Sequence, residues 1–283
     1  MRAVLNKLEQ ASQLDRVGDR IQRGIWSALP RRWMRDLLHG VWLGHPLHPV
    51  LVQLPVGAWT ASAILDMLPG QRRASTALVA VGTFGAVPAV LAGWNDWASL
   101  SQSQRRVGLV HAVANGIGLA LYGASLGTRL SGRHGIGRIL GWAGLSAASG
   151  GAFLGGHLAY KMGAGVNQAV PEMHRIDEGW HAVADLGALP EASLVTRKIN
   201  DVGVLIYRDG ENVTAMLEHC AHQGGPLGAG DLTKVDGHVC VVCPWHGSTF
   251  RLDNGEVVHG PSATDQQTLP TRTMGGVLEI RLP

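Results

Sequence analysis

The chain has 283 residues, of which 46% are hydrophobic and only 16% charged. Soluble domains carry roughly 25% charged residues, so this composition points toward a membrane, and the length suits two domains. Charge is divided along the chain: residues 1–179 hold 17 Lys/Arg against 9 Asp/Glu, and residues 180–283 hold 7 against 12. A basic apolar half joined to an acidic polar half argues against a nucleic-acid partner.

The first element expected is an amphipathic helical segment over residues 1–40. Leu5, Leu8, Leu14, Val17, Ile21, Ile25 and Leu29 recur at helical spacing among charges, and Pro30 ends the run. It is read as lying in the membrane interface with Trp26 and Trp33 as anchors, in preference to packing on the protein itself. No cleavable signal peptide is expected. Arg31-Arg32 is not read as an export signal, because the apolar stretch that follows has no small-residue cleavage site.

A four-span membrane domain is expected over residues 41–162. Its spans are Val50–Leu68, Ala74–Trp94, Val107–Thr128 and Ile139–Tyr160, each near the roughly 20 residues that cross a bilayer. The spacings Gly123/Gly127 and Gly151/Gly155 suit close helix packing in lipid, and Pro55 and Pro88 should kink spans without breaking them. Four spans put both termini on one side. Arg16, Arg20 and Arg23 favour a cytoplasmic N-terminus in the inner (cytoplasmic) membrane.

Residues 163–179 read as a linker. From residue 180 to 283 the pattern becomes β: runs such as Val202–Tyr207, Val239–Val242 and Val277–Ile280 alternate with the turn signals Asp209-Gly210, Asp236-Gly237 and Asn254-Gly255. The expected fold class is therefore multi-domain, an N-terminal α-helical transmembrane four-helix bundle followed by a C-terminal all-β domain.

Three cysteines, Cys220, Cys240 and Cys243, crowd within 24 residues, which reads as metal ligation before disulfide formation. Two of them head short Cys/His pieces, Cys220-Ala221-His222 and Cys243-Pro244-Trp245-His246. Zinc could use such residues, but Cys-x-His is a poor zinc-finger spacing. Cys240 reads as a buried strand residue.

Residues 180–283 closely resemble the Rieske family, through the Cys-x-His piece, the Cys-Pro-Trp-His-Gly segment and a later Gly260-Pro261 like the family's covering loop. The resemblance implies a [2Fe-2S] cluster in which Cys220 and Cys243 hold one iron and His222 and His246 the other. High-potential members add a disulfide between the two loops and Ser and Tyr donors to the cluster sulfurs. Here Gly225 and Trp245 stand at the disulfide positions. Ser248 is present, and Phe250 replaces the Tyr, so the resemblance implies a low potential.

The first span opens with Trp42-Leu43-Gly44-His45-Pro46-Leu47-His48-Pro49-Val50. With Arg106–His111 and Gly155-Gly156-His157-Leu158, it resembles an uncharacterised bacterial four-helix membrane domain family. His45, His48, Asp96, His111 and His157 are expected at one level of the membrane. The site could take haem b, a quinone or a metal such as zinc, or its groups could simply hydrogen-bond one another across the bundle. The function expected is single-electron transfer by a membrane-anchored iron-sulfur protein, between an unidentified donor and acceptor or a quinone. The alternatives are the electron-transfer component of a membrane-bound oxygenase and a cluster-based redox sensor.

Overall fold

The structure is a computed structural model describing residues 2–282. The chain forms two compact units. One contains the residues up to Arg31 together with Leu47–Ala164; the other contains Arg32–Pro46 together with Gly165 onward. The segment Arg32–Pro46, expected to lead into the first span, thus folds with the β unit.

In the helical unit, α1 (Arg2–Glu9) and α2 (Asp15–Ala28) precede α4 (Leu47–Leu51), α5 (Gln53–Leu65), α6 (Arg72–Trp97), α7 (Gln102–Leu130) and α8 (His134–Gly156), while α3 (Arg32–His39) belongs to the other unit. Among the described residues two helices, α6 and α7, are long and apolar enough to cross a membrane. The expected first span is divided at Val52. Pro49 and Pro55 fall in the first turns of its two pieces, where a missing N–H is tolerated. Backbone bonds from Val52 to His48 and from Val56 to Val52 carry the path across the break. The expected fourth span falls on Gly-rich α8, which runs on as a π-helical turn over His157–Lys161.

The helices α1 and α2 of the N-terminal segment fold back on the unit, and Trp26, an expected anchor, is exposed. Leu14, Ile21 and Ile25 pack on Trp97 and Leu109. Arg106 forms a bidentate pair with Asp15 at 2.6 Å, and Arg105 bonds Gln22 and Asp19. Gly123 and Gly127 meet no neighbouring helix. The close approach of α7 to α8 is at Gly118, where a Cβ would lie 3.2 Å from the backbone of Gly144 and Ala148.

The four main helices are a duplicated hairpin. Residues on α4/α5 recur on α7 at the 63-residue separation of Asp66 and Arg129, which pair across the unit. His48 and His111, and Trp59 and Tyr122, stand at the same separation. The first two lie with ring centroids 6.4 Å apart, and the second two stack at 4.2 Å. Val50/Val113, Ala61/Ala124 and Ser62/Ser125 are identical between the halves, as are Gly82/Gly144, Ala86/Ala148 and Gly93/Gly155 on α6 and α8. Gly82 makes room for Trp59, and Gly144 makes room for Tyr122. A pseudo-twofold axis running along the helices follows, the arrangement of a parallel repeat.

The β unit holds three antiparallel sheets. The first is β1 (His181–Asp185), β11 (Val277–Ile280) and β10 (Thr271–Met274), in that order. The second is β2 (Leu194–Ile199), β3 (Val202–Asp209), β4 (Asn212–Leu217) and β9 (Thr268–Leu269). The third is β5 (Asp231–Val235), β6 (His238–Val242), β7 (Thr249–Arg251) and β8 (Val257–His259). Asp236-Gly237, both at positive φ, close the β5–β6 hairpin as a two-residue turn. Residues 163–179 are more than a connection: Ala169 and Ile176 are buried in the core with Val204 and Leu217.

Candidate metal centre

Two loops of the third sheet's neighbourhood share one backbone design. In the first, the Cys220 N–H donates to Gly225 O at 2.9 Å and the Gly224 N–H to Cys220 O at 2.8 Å. In the second, the Cys243 N–H donates to Ser248 O at 2.8 Å and the Gly247 N–H to Cys243 O at 3.0 Å. Gly224 and Gly247 sit at φ 71° and 79°, where a side chain would be strained. Each turn presents one Cys and, two or three residues on, one His.

The loops bring the four residues together in pairs. Cys220 and Cys243 are both buried, with their thiols in hydrogen-bonding reach. The Cys220 S–H donates to Cys243, which lowers the Cys243 pKa to about 6 and raises that of Cys220. The His222 and His246 rings stand 5.0 Å apart at 89°. Burial pushes the His222 imidazole down to about 3, with His246 and His39 adding to the shift, and burial also lowers His246. A thiol that readily gives up its proton, as Cys243 does, and imidazoles held neutral are states a metal requires of its ligands. The cysteine side is inside and the histidine side reaches the surface, since His246 and Trp245 are exposed.

Gly225 and Trp245 do meet, the glycine lying under the indole and so close that a Cβ would stand 2.8 Å from Cys243 Sγ. Ser248 is fully buried, and its Oγ accepts the Ser262 N–H at 2.9 Å, which leaves its own O–H free to donate. Phe250 is fully buried in the apolar cluster that includes Cys220 and Cys243. Cys240 is a buried strand residue whose thiol faces His238 O at 3.5 Å.

Four further residues brace these loops without having stood out in the sequence. Gln266, 2% exposed, accepts the Ala221 N–H and donates to Leu217 O and His219 O. Arg32 on α3 donates to Gly247 O at 2.6 Å and to Thr249 Oγ1 at 2.9 Å. Asp36, one turn on, accepts from His259 Nδ1 and from the Gly260 N–H, each at 2.9 Å. His39, 4% exposed, packs on Gly260. The i, i+4 spacing of Arg32 and Asp36 was visible, but nothing local says which surface that helix face meets.

Residues 179–270 match the Rieske [2Fe-2S] domain family. The C-terminal unit contains a Rieske domain. Residues 44–168 match the family described as Predicted membrane protein (DUF2231). A Rieske domain-containing protein of Homo sapiens is 37% identical over 68 residues, which is 24% of this chain and 43% of that protein; the match spans less than half the relative's length. Among solved structures, the ferredoxin of carbazole 1,9a-dioxygenase from Nocardioides aromaticivorans is 20% identical with a TM-score of 0.34, covering 38% of this chain and 100% of its own. The terminal oxygenase of the same system is 26% identical with a TM-score of 0.33, covering 38% of this chain and 31% of its own. A Rieske domain implies a [2Fe-2S] cluster, and such a cluster carries electrons one at a time.

The membrane histidines divide. His48 and His111 face each other. His45 belongs to the Rieske unit, is exposed and has its Nδ1 3.1 Å from its neighbour's Pro46 O. His157 bonds Glu9 at 2.9 Å, and Lys161 shares the same carboxylate. Of the groups expected at one level, His48 and His111 meet, His157 is held by Glu9 of α1, and His45 lies in the other compact unit.

Proposed function

We propose that the chain is a membrane-anchored one-electron carrier whose cluster is held by Cys220, Cys243, His222 and His246. The observation that carries this is the pair of matched loops, each closing on its cysteine and together setting two buried thiols beside two neutral imidazoles. When bound, the cluster supplies a one-electron couple. The protein's own residues bury the thiolate side, leave the histidine side at the surface where a partner can approach, and shape the potential through Ser248 and Phe250. The bilayer reading rests on α6 and α7 and on large apolar side chains facing outward, among them Phe84, Val113, Ile139 and Phe153.

The test is iron and acid-labile sulfide analysis with EPR of the dithionite-reduced, detergent-purified chain. Two irons per chain and the signal of a histidine-ligated [2Fe-2S] centre are expected, lost or altered in His222→Ala and His246→Ala. A colourless protein with stoichiometric zinc refutes the assignment.

We further propose that the Rieske domain faces the cytoplasm. Its three cysteines are free, and glycine and tryptophan stand at the inter-loop position, which suits a reducing compartment. Protease cleavage after Trp180 should occur in inverted vesicles. Cleavage only in right-side-out vesicles overturns this.

A further inference from the structure

We propose that the helical unit binds one haem, its iron held axially by His48 and His111. This goes beyond the cluster assignment and stands or falls separately from it.

The two imidazoles sit in equivalent sockets. His48 Nδ1 lies 2.8 Å from Ala89 O on α6, and His111 Nδ1 lies 2.8 Å from Gly151 O on α8, at sequence separations of 41 and 40 residues. A carbonyl only accepts, so each Nδ1 carries the proton and each Nε2 is the unprotonated nitrogen; the Asn115 amide, which donates to His111 O, lies 3.4 Å from His111 Nε2. One helical turn beyond each carbonyl stands a glycine. A Cβ at Gly93 would come within 2.9 Å of the His48 ring, and one at Gly155 within 3.1 Å of the His111 ring. Backbone room is thus provided twice, at equivalent positions, for the same ring pose. An imidazole that donates its second nitrogen to a carbonyl is the outer-shell arrangement of a metal ligand, with the ring's orientation and tautomer both fixed.

The spacing between the rings suits one metal atom. Their centroids are 6.4 Å apart at 80°. Two metal–nitrogen bonds of about 2.0 Å plus the half-width of each ring span about 6 Å. The pair also straddles the pseudo-twofold axis, where a single centre takes one ligand from each half.

The ligand count selects the occupant. Zinc takes three or four protein ligands, whereas His48 and His111 are two imidazoles facing each other. The residues that could have joined are engaged elsewhere, His157 by Glu9 and His45 in the other unit. A haem brings four equatorial nitrogens of its own and asks the protein for two axial ones. A bundle of apolar helices with inward-facing histidines is a common setting for such a cofactor.

The test is a reduced-minus-oxidised spectrum, a pyridine haemochrome assay and metal analysis on the full chain, purified in detergent from haem-supplemented cells. One haem per chain is expected. His48→Ala and His111→Ala should each lower haem content by about tenfold or more, at least the loss that disturbing a metal ligand's outer partners causes. His45→Ala and His157→Ala should retain it. The Rieske EPR signal, followed in every variant, reports separately on the cluster and on the integrity of the chain. Gly155→Ala, which presses on the His111 ring without removing it, should shift the haem spectrum. Three outcomes overturn the proposal: wild-type protein without haem, a stoichiometric ion without porphyrin, or haem retained in both His48→Ala and His111→Ala.

Discussion

The Asp66–Arg129 pair tests the duplicated hairpin directly. Both side chains are withdrawn from solvent, at 6% and 1% exposure, and they form a two-pronged contact whose Nη1–Oδ1 arm is 2.9 Å. Ser75 donates to Asp66 and accepts from Arg129, while Ser125 accepts from Arg129 Nε. Removing one partner leaves the other charge buried and uncompensated, at a cost of about 3–5 kcal/mol. For a unit of this size that corresponds to a fall of roughly 10–15 °C in Tm. Asp66→Asn and Arg129→Met should each show it by circular dichroism of the solubilised chain. The symmetry adds a stricter expectation. Because the two positions are equivalent about the axis, Asp66→Arg combined with Arg129→Asp should recover at least about half of that loss. Ser62 stands ready for the new arginine as Ser125 does for the present one. Recovery is incomplete because Gly137, the counterpart of Ser75, has no hydroxyl, a deficit of about 1 kcal/mol, and because Gly137 is where the Arg129 stem now fits. A reversed pair no more stable than either single variant would show that the two sites are not equivalent.

The remaining predictions concern the Rieske domain. The wild-type midpoint should fall in the lower part of the family's range, roughly −150 to 0 mV. Ser248→Ala should lower it and Phe250→Tyr raise it, each by about 1 kcal/mol or roughly 40 mV for one electron. Voltammetry giving a wild-type value near the top of the range would sink that reasoning. Asp36→Ala removes two hydrogen bonds to a carboxylate, about 1.5–3 kcal/mol each, so the loop over Gly260 should loosen and the cluster bleach several-fold faster in air. An unchanged bleaching rate would make the α3 contact incidental. In cluster-free protein, Cys243 should be alkylated faster than Cys240. The thiolate is the reactive form, so the Cys243 rate should climb as pH rises through about 6 and level off above it, whereas burial raises the Cys240 pKa. Equal rates at pH 7 would contradict this.

How much was legible can be traced residue by residue. The cluster loops could be read because their chemistry is local: Cys-x-His and Cys-Pro-Trp-His place ligand and turn glycine within one short stretch. The hairpin at Asp236-Gly237 was legible for the same reason. The helical unit was readable as four apolar runs, but the first is divided into α4 and α5, since the prolines at 49 and 55 act on backbone hydrogen bonding and leave hydropathy untouched. The glycines misled in one respect. Spacing alone put Gly123/Gly127 at a helix contact, yet a small-residue pair packs only if its face points inward, and that face does not.

By itself the sequence determined the class of each half, the metal-binding residue types and the β turns, because these depend on composition, on period and on residues near in the chain. Only the tertiary structure decided that Arg32, Asp36 and His39 belong with the Rieske domain, that Gln266 braces the first loop, and that His48 meets His111 while His45 and His157 do not. It also decided that Asp66, Trp59 and His48 each face a counterpart one repeat away. These are meetings of residues tens to hundreds of positions apart. Which ones occur is settled by how apolar faces are buried and where buried polar groups find partners, and neither is written in any one segment.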